Sequence, residues 1–291
     1  MISPAPLRIG LYEKALSNKI SWTEKFDIAR KSGFDFVEMN IDGSDDRLCR
    51  LYDGRKSARC VTRASEECGF SVLTMALTAN RAYPLGSENV SIRERAVEIV
   101  TRAVDYALAA GIRLIHLAAY DDHGEKRCAA TKSNFLRSVE RCVSYASRYG
   151  VILALETMDT GFLVSGEAVA SVVRAFSSPF LQCYADVGNL TANGIDAPSE
   201  ILKISRHLVG IHLKDARGGV VRDVPFGEGK VDFVRVGDAL SRARYNGILV
   251  AEMWSYDDAS FHSYLPIAGK FLREKLASYE QSAWRAGMEA G

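Results

Sequence analysis

Several things are scarce in this chain of 291 residues. No two of its six cysteines (Cys49, Cys60, Cys68, Cys128, Cys142 and Cys183) are spaced C-x-x-C, which argues against a zinc knuckle or a disulfide frame and for reduced thiols. No apolar stretch approaches bilayer length, so no membrane partner is expected. The N-terminus MISPAPLRIG lacks a basic segment followed by an apolar one, so no signal peptide is expected and the chain reads as cytoplasmic. Charge of one sign is also missing. Lys plus Arg is 37 against Asp plus Glu 36, a net charge of +1, which leaves no electrostatic footprint for nucleic acid or an anionic membrane. Neither a GxGxxG nor a Walker sequence occurs, and Tyr12-Glu13-Lys14 follows the first apolar run where an open doubly wound sheet would carry a glycine-rich phosphate turn.

What is present is regular. Hydrophobic residues make up 47% of the chain, enough for a large core. Four times an amphipathic helix pattern ends in glycine and an apolar run follows at once: Gly33 with FDFVEM, Gly69 with FSVLTM, Gly111 with IRLIHLA, Gly150 with VILALE. Ser177–Pro179 and Asn246–Gly247 punctuate the second half in the same places. The chain resolves into eight strand–helix units. Strands lie near LRIGLY, FDFVEM, FSVLTM, IRLIHLA, VILALE, LQCYAD, LVGIHL and ILVAEM. Helices lie near 21–32, 55–68, 91–110, 131–149, 165–176, 198–207, 232–245 and 260–282. Strict alternation requires right-handed parallel crossovers, and eight units predict a closed (β/α)₈ TIM barrel. With no linker or low-complexity segment, residues 1–291 form one expected domain, with a longer C-terminal helix over 260–285. A doubly wound open sheet is the competing architecture.

Four polar residues close the last four of these runs: Glu156, Asp186, His212 and Glu252. Runs buried on both faces offer such groups little structural reason to be there. Taken singly, each acid reads as a salt bridge or helix cap, and the histidine as a satisfied core residue. Taken together, on neighbouring strands whose C-terminal ends converge on one face, they predict a shared site. Three carboxylates and an imidazole form a hard, oxygen-rich set suited to manganese, magnesium or cobalt and tolerant of zinc. Asp159, Asp215 and Asn189 follow shortly after and are candidate outer partners. His116 is ambiguous between core and rim, Glu38 between lining the pocket and pairing with a lysine, and His123, His207 and His262 look peripheral.

The segments GLYEKAL, GFDFVEMNID, DDRLCRL, RAYPLGS, LETMD, DVGN, HLKD, VPFGEGKVDF and AEMW resemble the L-ribulose-5-phosphate 3-epimerase (L-xylulose-5-phosphate 3-epimerase) family. The likeness runs from about residue 8 into the last helix. The wider group is the xylose-isomerase-like barrels. The resemblance implies one divalent metal ion (manganese, zinc, cobalt or magnesium) held by Glu156, Asp186, His212 and Glu252. It implies that Glu156 and Glu252 also act as the acid–base pair, that the substrate is a small sugar phosphate, and that the protein is a homodimer. A phosphate needs point charges and backbone donors together. Candidates are Lys14, Arg81, Lys214 and Arg222, with backbone N–H groups at Gly227 and Gly229; Lys230 reads as a solvated charge. Two positions depart from relatives: Asn189 stands where free-sugar epimerases carry histidine, which fits the phosphate branch, and Asn80 stands where close relatives are expected to have histidine. Competing readings are an aldose–ketose isomerase or inosose-type dehydratase on the same barrel, a DNA-repair endonuclease-like barrel, and a non-catalytic sugar-phosphate sensor. The endonuclease wants more histidines than the five present and a basic groove, and a sensor has no use for two acid–base glutamates.

Overall fold

The computed structural model describes residues 7–122, 127–277 and 279. Eight parallel strands close into a barrel in sequence order, β1 (Ile9–Tyr12), β2 (Phe36–Ile41), β3 (Val72–Leu77), β4 (Leu114–Leu117), β5 (Ile152–Glu156), β6 (Leu181–Asp186), β7 (Leu208–Leu213) and β8 (Ile248–Ala251), with β8 pairing back onto β1. Around them run α1 (Trp22–Lys31), α2 (Asp45–Asp53), α3 (Arg55–Cys68), α4 (Val90–Ala110), α5 (Ala129–Arg148), α6 (Gly166–Phe176), α7 (Val187–Ala192), α8 (Ala197–Ile204), α9 (Phe233–Arg242) and α10 (Leu265–Lys275). The expected strands all form, and the expected helices form within a few residues of their bounds, except at the C-terminus. The short helices α2 and α7 were not anticipated. The predicted helix over 260–285 is instead a 3₁₀ turn, Ala259–Ser263, followed by α10, because Pro266 sits in the first turn of the helix, where a proline starts one. Residues 278 and 280–285 of that expected helix, Trp284 included, lie outside the described residues, as does His123.

The four glycines read as helix stops all adopt positive φ, from 57° to 83°, in open space, and each turns the chain into the next strand. Inside the barrel, successive side chains alternate between the lumen and the helical layer. Two lumenal glycines make room for aromatic rings: a Cβ at Gly10 would lie 2.1 Å from the Phe36 ring, and one at Gly210 would lie 2.1 Å from that of Tyr184. The N-terminal half of the lumen is therefore filled by Phe36, Val250, Leu114, Ala154 and Tyr184. Polar side chains begin above this plug, towards the C-terminal ends of the strands.

Candidate active site

Register brings the four strand-end residues together. Asp186 stands opposite His212 in the β6–β7 pairing, and Glu252, one residue past β8, donates its N–H to the Leu213 carbonyl at 2.8 Å. Glu156 ends β5 beside Tyr184 of β6. One ligand atom from each of Glu156, Asp186, His212 and Glu252 lies within 4.8 Å of the others, and all four residues are buried. His212 Nδ1 is 3.3 Å from both Glu156 Oε1 and Glu252 Oε2. Such a set could hold a metal ion. Local chain geometry aims Asp186: its Oδ1 caps α7 by accepting the Asn189 N–H at 2.9 Å, leaving Oδ2 for the cluster.

The other predicted residues are distributed differently. Lys214 was a phosphate candidate, yet its Nζ sits 2.6 Å from Asp186 Oδ2 and 3.0 Å from Glu252 Oε2, with its stem packed on Gly188. Two buried carboxylates attract the nearest ammonium more strongly than solvent holds it. Gly227 and Gly229 were expected to offer N–H groups to phosphate. Those groups instead donate to Asp215 Oδ2 at 2.8 and 2.9 Å, while Oδ1 accepts from Ala216 and Val231 at 2.9 and 3.2 Å. Asp215 is thus the clamp of the loop that follows β7, not the outer partner of His212. Asp159 is not that partner either: it accepts from the Tyr120 hydroxyl at 2.6 Å, and Arg81 bonds to Tyr120 and lies 3.6 Å from Asp159. The residue behind His212 is Glu38 of β2, whose Oε1 is 2.5 Å from Nε2. His116 lies beside it, 3.5 Å from Glu38 and 3.6 Å from Glu156, and is a lumenal residue, not a rim one. The sequence signal for Glu38 was a carboxylate inside a largely apolar strand.

Charges in the cluster shift one another. Burial pushes Asp186 up to about 8, with Glu252 and Glu156 acting in the same direction and Lys214 pulling back. Burial also opposes the charged forms of Glu252, Glu38 and His212, but here the neighbours win. Lys214 and His212 hold Glu252 well below the usual carboxylate range, His212 and His116 do the same for Glu38, and Glu252 and Glu38 raise His212 well above an ordinary imidazole. Three carboxylates against one lysine and one imidazole make a site with an appetite for a further cation.

A cavity of about 370 Å³ opens above the cluster, lined by Glu156, Glu252, Asn189, Lys214, Arg81 and Arg222 among others, within the size range of small-molecule sites. Asn189 is turned inward: its Nδ2 donates to the Thr157 carbonyl at 2.9 Å. At the mouth, Lys14 pairs with Asp42 at 2.6 Å. Arg222 lies 5.3 Å from the Trp254 ring centre and has no ion-pair partner among the described residues.

Residues 26–284 match the family model described as a xylose isomerase-like TIM barrel. The L-ribulose-5-phosphate 3-epimerase UlaE of Escherichia coli O1:K1 / APEC is 40% identical over 247 residues, covering 85% of this chain and 87% of the relative; its counterpart in Escherichia coli strain K12 / DH10B is 39% identical over the same length. This chain belongs to the L-ribulose-5-phosphate 3-epimerase family. It is thereby an epimerase, one kind of isomerase. Solved structures that share the fold include an L-ribulose 3-epimerase (TM-score 0.75, 17% identity, 98% of each chain). Another is D-psicose 3-epimerase from Clostridium cellulolyticum H10 (TM-score 0.76, 17% identity, 93% of this chain and 99% of that one). No helix among the described residues is long and apolar enough to cross a membrane.

Proposed function

We propose that this epimerase inverts C3 of a ketose phosphate, interconverting L-ribulose 5-phosphate and L-xylulose 5-phosphate, with one divalent metal ion held by Glu156, Asp186, His212 and Glu252. The observation that carries the reading is that Glu156 and Glu252 reach the same His212 nitrogen at 3.3 Å from two strands and both line the one cavity. Bound there, a divalent ion supplies Lewis acidity that polarises the C2 carbonyl. The C3 proton is weakly acidic because it adjoins that carbonyl. Inversion needs one group to take the proton from one face of a planar enediolate and another to return a proton to the opposite face. Two glutamates on separate strands provide those two groups. Binding alone has no need of both, which disfavours a sugar-phosphate sensor.

Lys14 and Arg222 are the proposed phosphate contacts. They line the 370 Å³ cavity and a neighbouring one of about 300 Å³ that shares Asp42 and Trp254 with it. Burial lowers the Lys14 amine, the Asp42 carboxylate pulls it back up, and the nearby Arg47 and Arg222 charges lower it further, so a dianion entering beside these basic side chains meets charge of the opposite sign. Lys214 is instead engaged with the cluster carboxylates Asp186 and Glu252. The homodimer implied by family likeness is tested by light scattering on the purified protein, where a monomer mass rejects it.

The deciding experiment incubates manganese-loaded protein with L-xylulose 5-phosphate in D₂O and follows C3 by NMR. The expected result is deuterium at C3 together with L-ribulose 5-phosphate. Absence of exchange with any ketose phosphate rejects the reaction, and loss of the C2 ketone points instead to isomerisation or dehydration. Glu156→Gln and Glu252→Gln are each expected to abolish exchange in folded protein.

A further inference from the structure

We propose that Glu38 is the positioning residue that presents His212 to the metal ion, an inference that rests on the metal reading above. Glu38 is wholly buried on β2, three barrel strands away from β7 by way of β1 and β8. A buried carboxylate elsewhere in this protein is matched to permanent cations: Glu13, equally buried, pairs with Lys25, Arg47 and Arg50. Glu38 has no lysine or arginine against it among the described residues. Its basic neighbours are two imidazoles, His212 and His116. An ordinary core ion pair does not explain that choice.

The geometry does. A neutral imidazole has one donor nitrogen and one acceptor nitrogen, and the partner of the first decides which is which. Glu38 Oε1, at 2.5 Å, takes the proton-bearing Nε2. With a metal ion in place the ring is neutral and Glu38 keeps its one proton on Nε2, so that the lone pair falls on Nδ1, the nitrogen that lies 3.3 Å from a carboxylate oxygen of Glu156 and of Glu252. Glu38 is itself held in place. Its Oε2 accepts from the Thr74 hydroxyl at 2.8 Å and from the Tyr184 hydroxyl at 3.2 Å, and the Tyr184 ring stacks on His116 with centres 4.3 Å apart. With Oε2 occupied by those two hydroxyls, Oε1 faces the imidazoles, and the shorter contact is to His212, 2.5 Å against 3.5 Å for His116. The ring of His212 is further walled by Tyr12, His116 and Tyr184, at 5.5, 4.7 and 5.0 Å between centres. Five strands thus converge on the β7 histidine to set one tautomer and one ring orientation.

The test measures zinc affinity by chelator competition in wild type, Glu38→Gln, Thr74→Val and Asp186→Asn, and records the His212 Nε2–H resonance of each zinc-loaded protein by ¹⁵N-histidine NMR. Zinc alone is the probe, so turnover plays no part. Glu38→Gln is expected to weaken zinc binding about 10- to 100-fold, the usual effect of removing such an outer carboxylate, and to move the Nε2–H resonance upfield as the short bond to a carboxylate is lost. Thr74→Val, which frees only Oε2, is expected to shift both readouts less and in the same direction. Wild-type affinity and an unmoved resonance in Glu38→Gln overturn the proposal; if that variant does not fold, wild-type values in Thr74→Val overturn it. Failure of wild type to bind zinc, or binding that survives Asp186→Asn, overturns the metal reading and this inference with it. Weak binding in Glu38→Gln beside tight binding in wild type supports both.

Discussion

Lys214→Met isolates what the buried ammonium does in the metal-free cluster. Methionine retains the unbranched stem packed on Gly188 and removes only the charge, which lies 2.6 Å from Asp186 and 3.0 Å from Glu252. At an effective dielectric of about 20, each contact is worth roughly 6 kcal/mol before desolvation is subtracted. Breaking one member of a buried pair costs about 3–5 kcal/mol net. The lower end applies here, because Asp186 already sits near 8 and sheds its charge by taking up a proton. A loss of about 3 kcal/mol lowers the melting temperature of a domain this size by roughly 6–12 °C, at about 2–4 °C per kcal/mol. A divalent ion replaces the missing charge, so the rise in Tm on adding metal should be larger in the variant than in wild type by a similar amount. Scanning calorimetry in EDTA and in saturating manganese measures both numbers. A metal-free Tm within about 2 °C of wild type, the change expected from under 1 kcal/mol, refutes the reasoning, as does an equal metal-induced rise in the two proteins.

Glu13→Gln removes the carboxylate shared by Lys25, Arg47 and Arg50 and should cost about 3–5 kcal/mol at neutral pH. Burial opposes the charged form of Glu13, but the three cations outweigh it and hold its acidity well below the ordinary glutamate range. Its contribution is therefore complete above the unfolded-state pKa and vanishes as pH falls towards the folded one, so the gap between wild type and variant should close in acid. Urea titrations at a series of pH values check this, and a pH-independent gap contradicts it. Gly229→Ala places a Cβ 1.9 Å from Asp215 Oδ1, so the loop carrying Arg222 must give up at least one bond to the clamp. At about 1.5–3 kcal/mol for a hydrogen bond to a charged group, Tm should fall by roughly 3–12 °C and KM for the sugar phosphate should rise; an unchanged KM rejects the clamp. Arg222→Met is expected to raise KM for the phosphorylated ketose and leave exchange with the free ketose unaltered, as measured by C3 deuteration, and an equal effect on both removes Arg222 from phosphate binding.

Strands, helix stops and the four strand-end residues were legible because each is a local pattern: a buried run, a glycine that turns a helix end, a polar group where a run closes. Other features were not local. Lys214 reads in sequence as any basic residue near a loop, and only the closure of β6, β7 and β8 shows that its nearest anions belong to the cluster. Asp215 and Gly229 lie 14 residues apart, and the loop between them has no period from which its fold could be read. Asp215 was a plausible partner of His212 because it follows it in the chain, and Asp159 because it follows Glu156, yet the partner proved to be Glu38, 174 residues away from His212.

By itself the sequence determined the alternation of eight strands and helices, hence the barrel, and placed four metal-competent groups at the ends of adjacent strands, because burial and strand period act over a few residues. The tertiary structure decided which charges face one another. Barrel closure brings β1 against β8 and directs β2 side chains into the same lumen as those of β7. In that low-dielectric space, distances of 2.5–3.6 Å set the partners of Glu38, His116, Lys214 and Asp186, and no spacing along the chain encodes those distances.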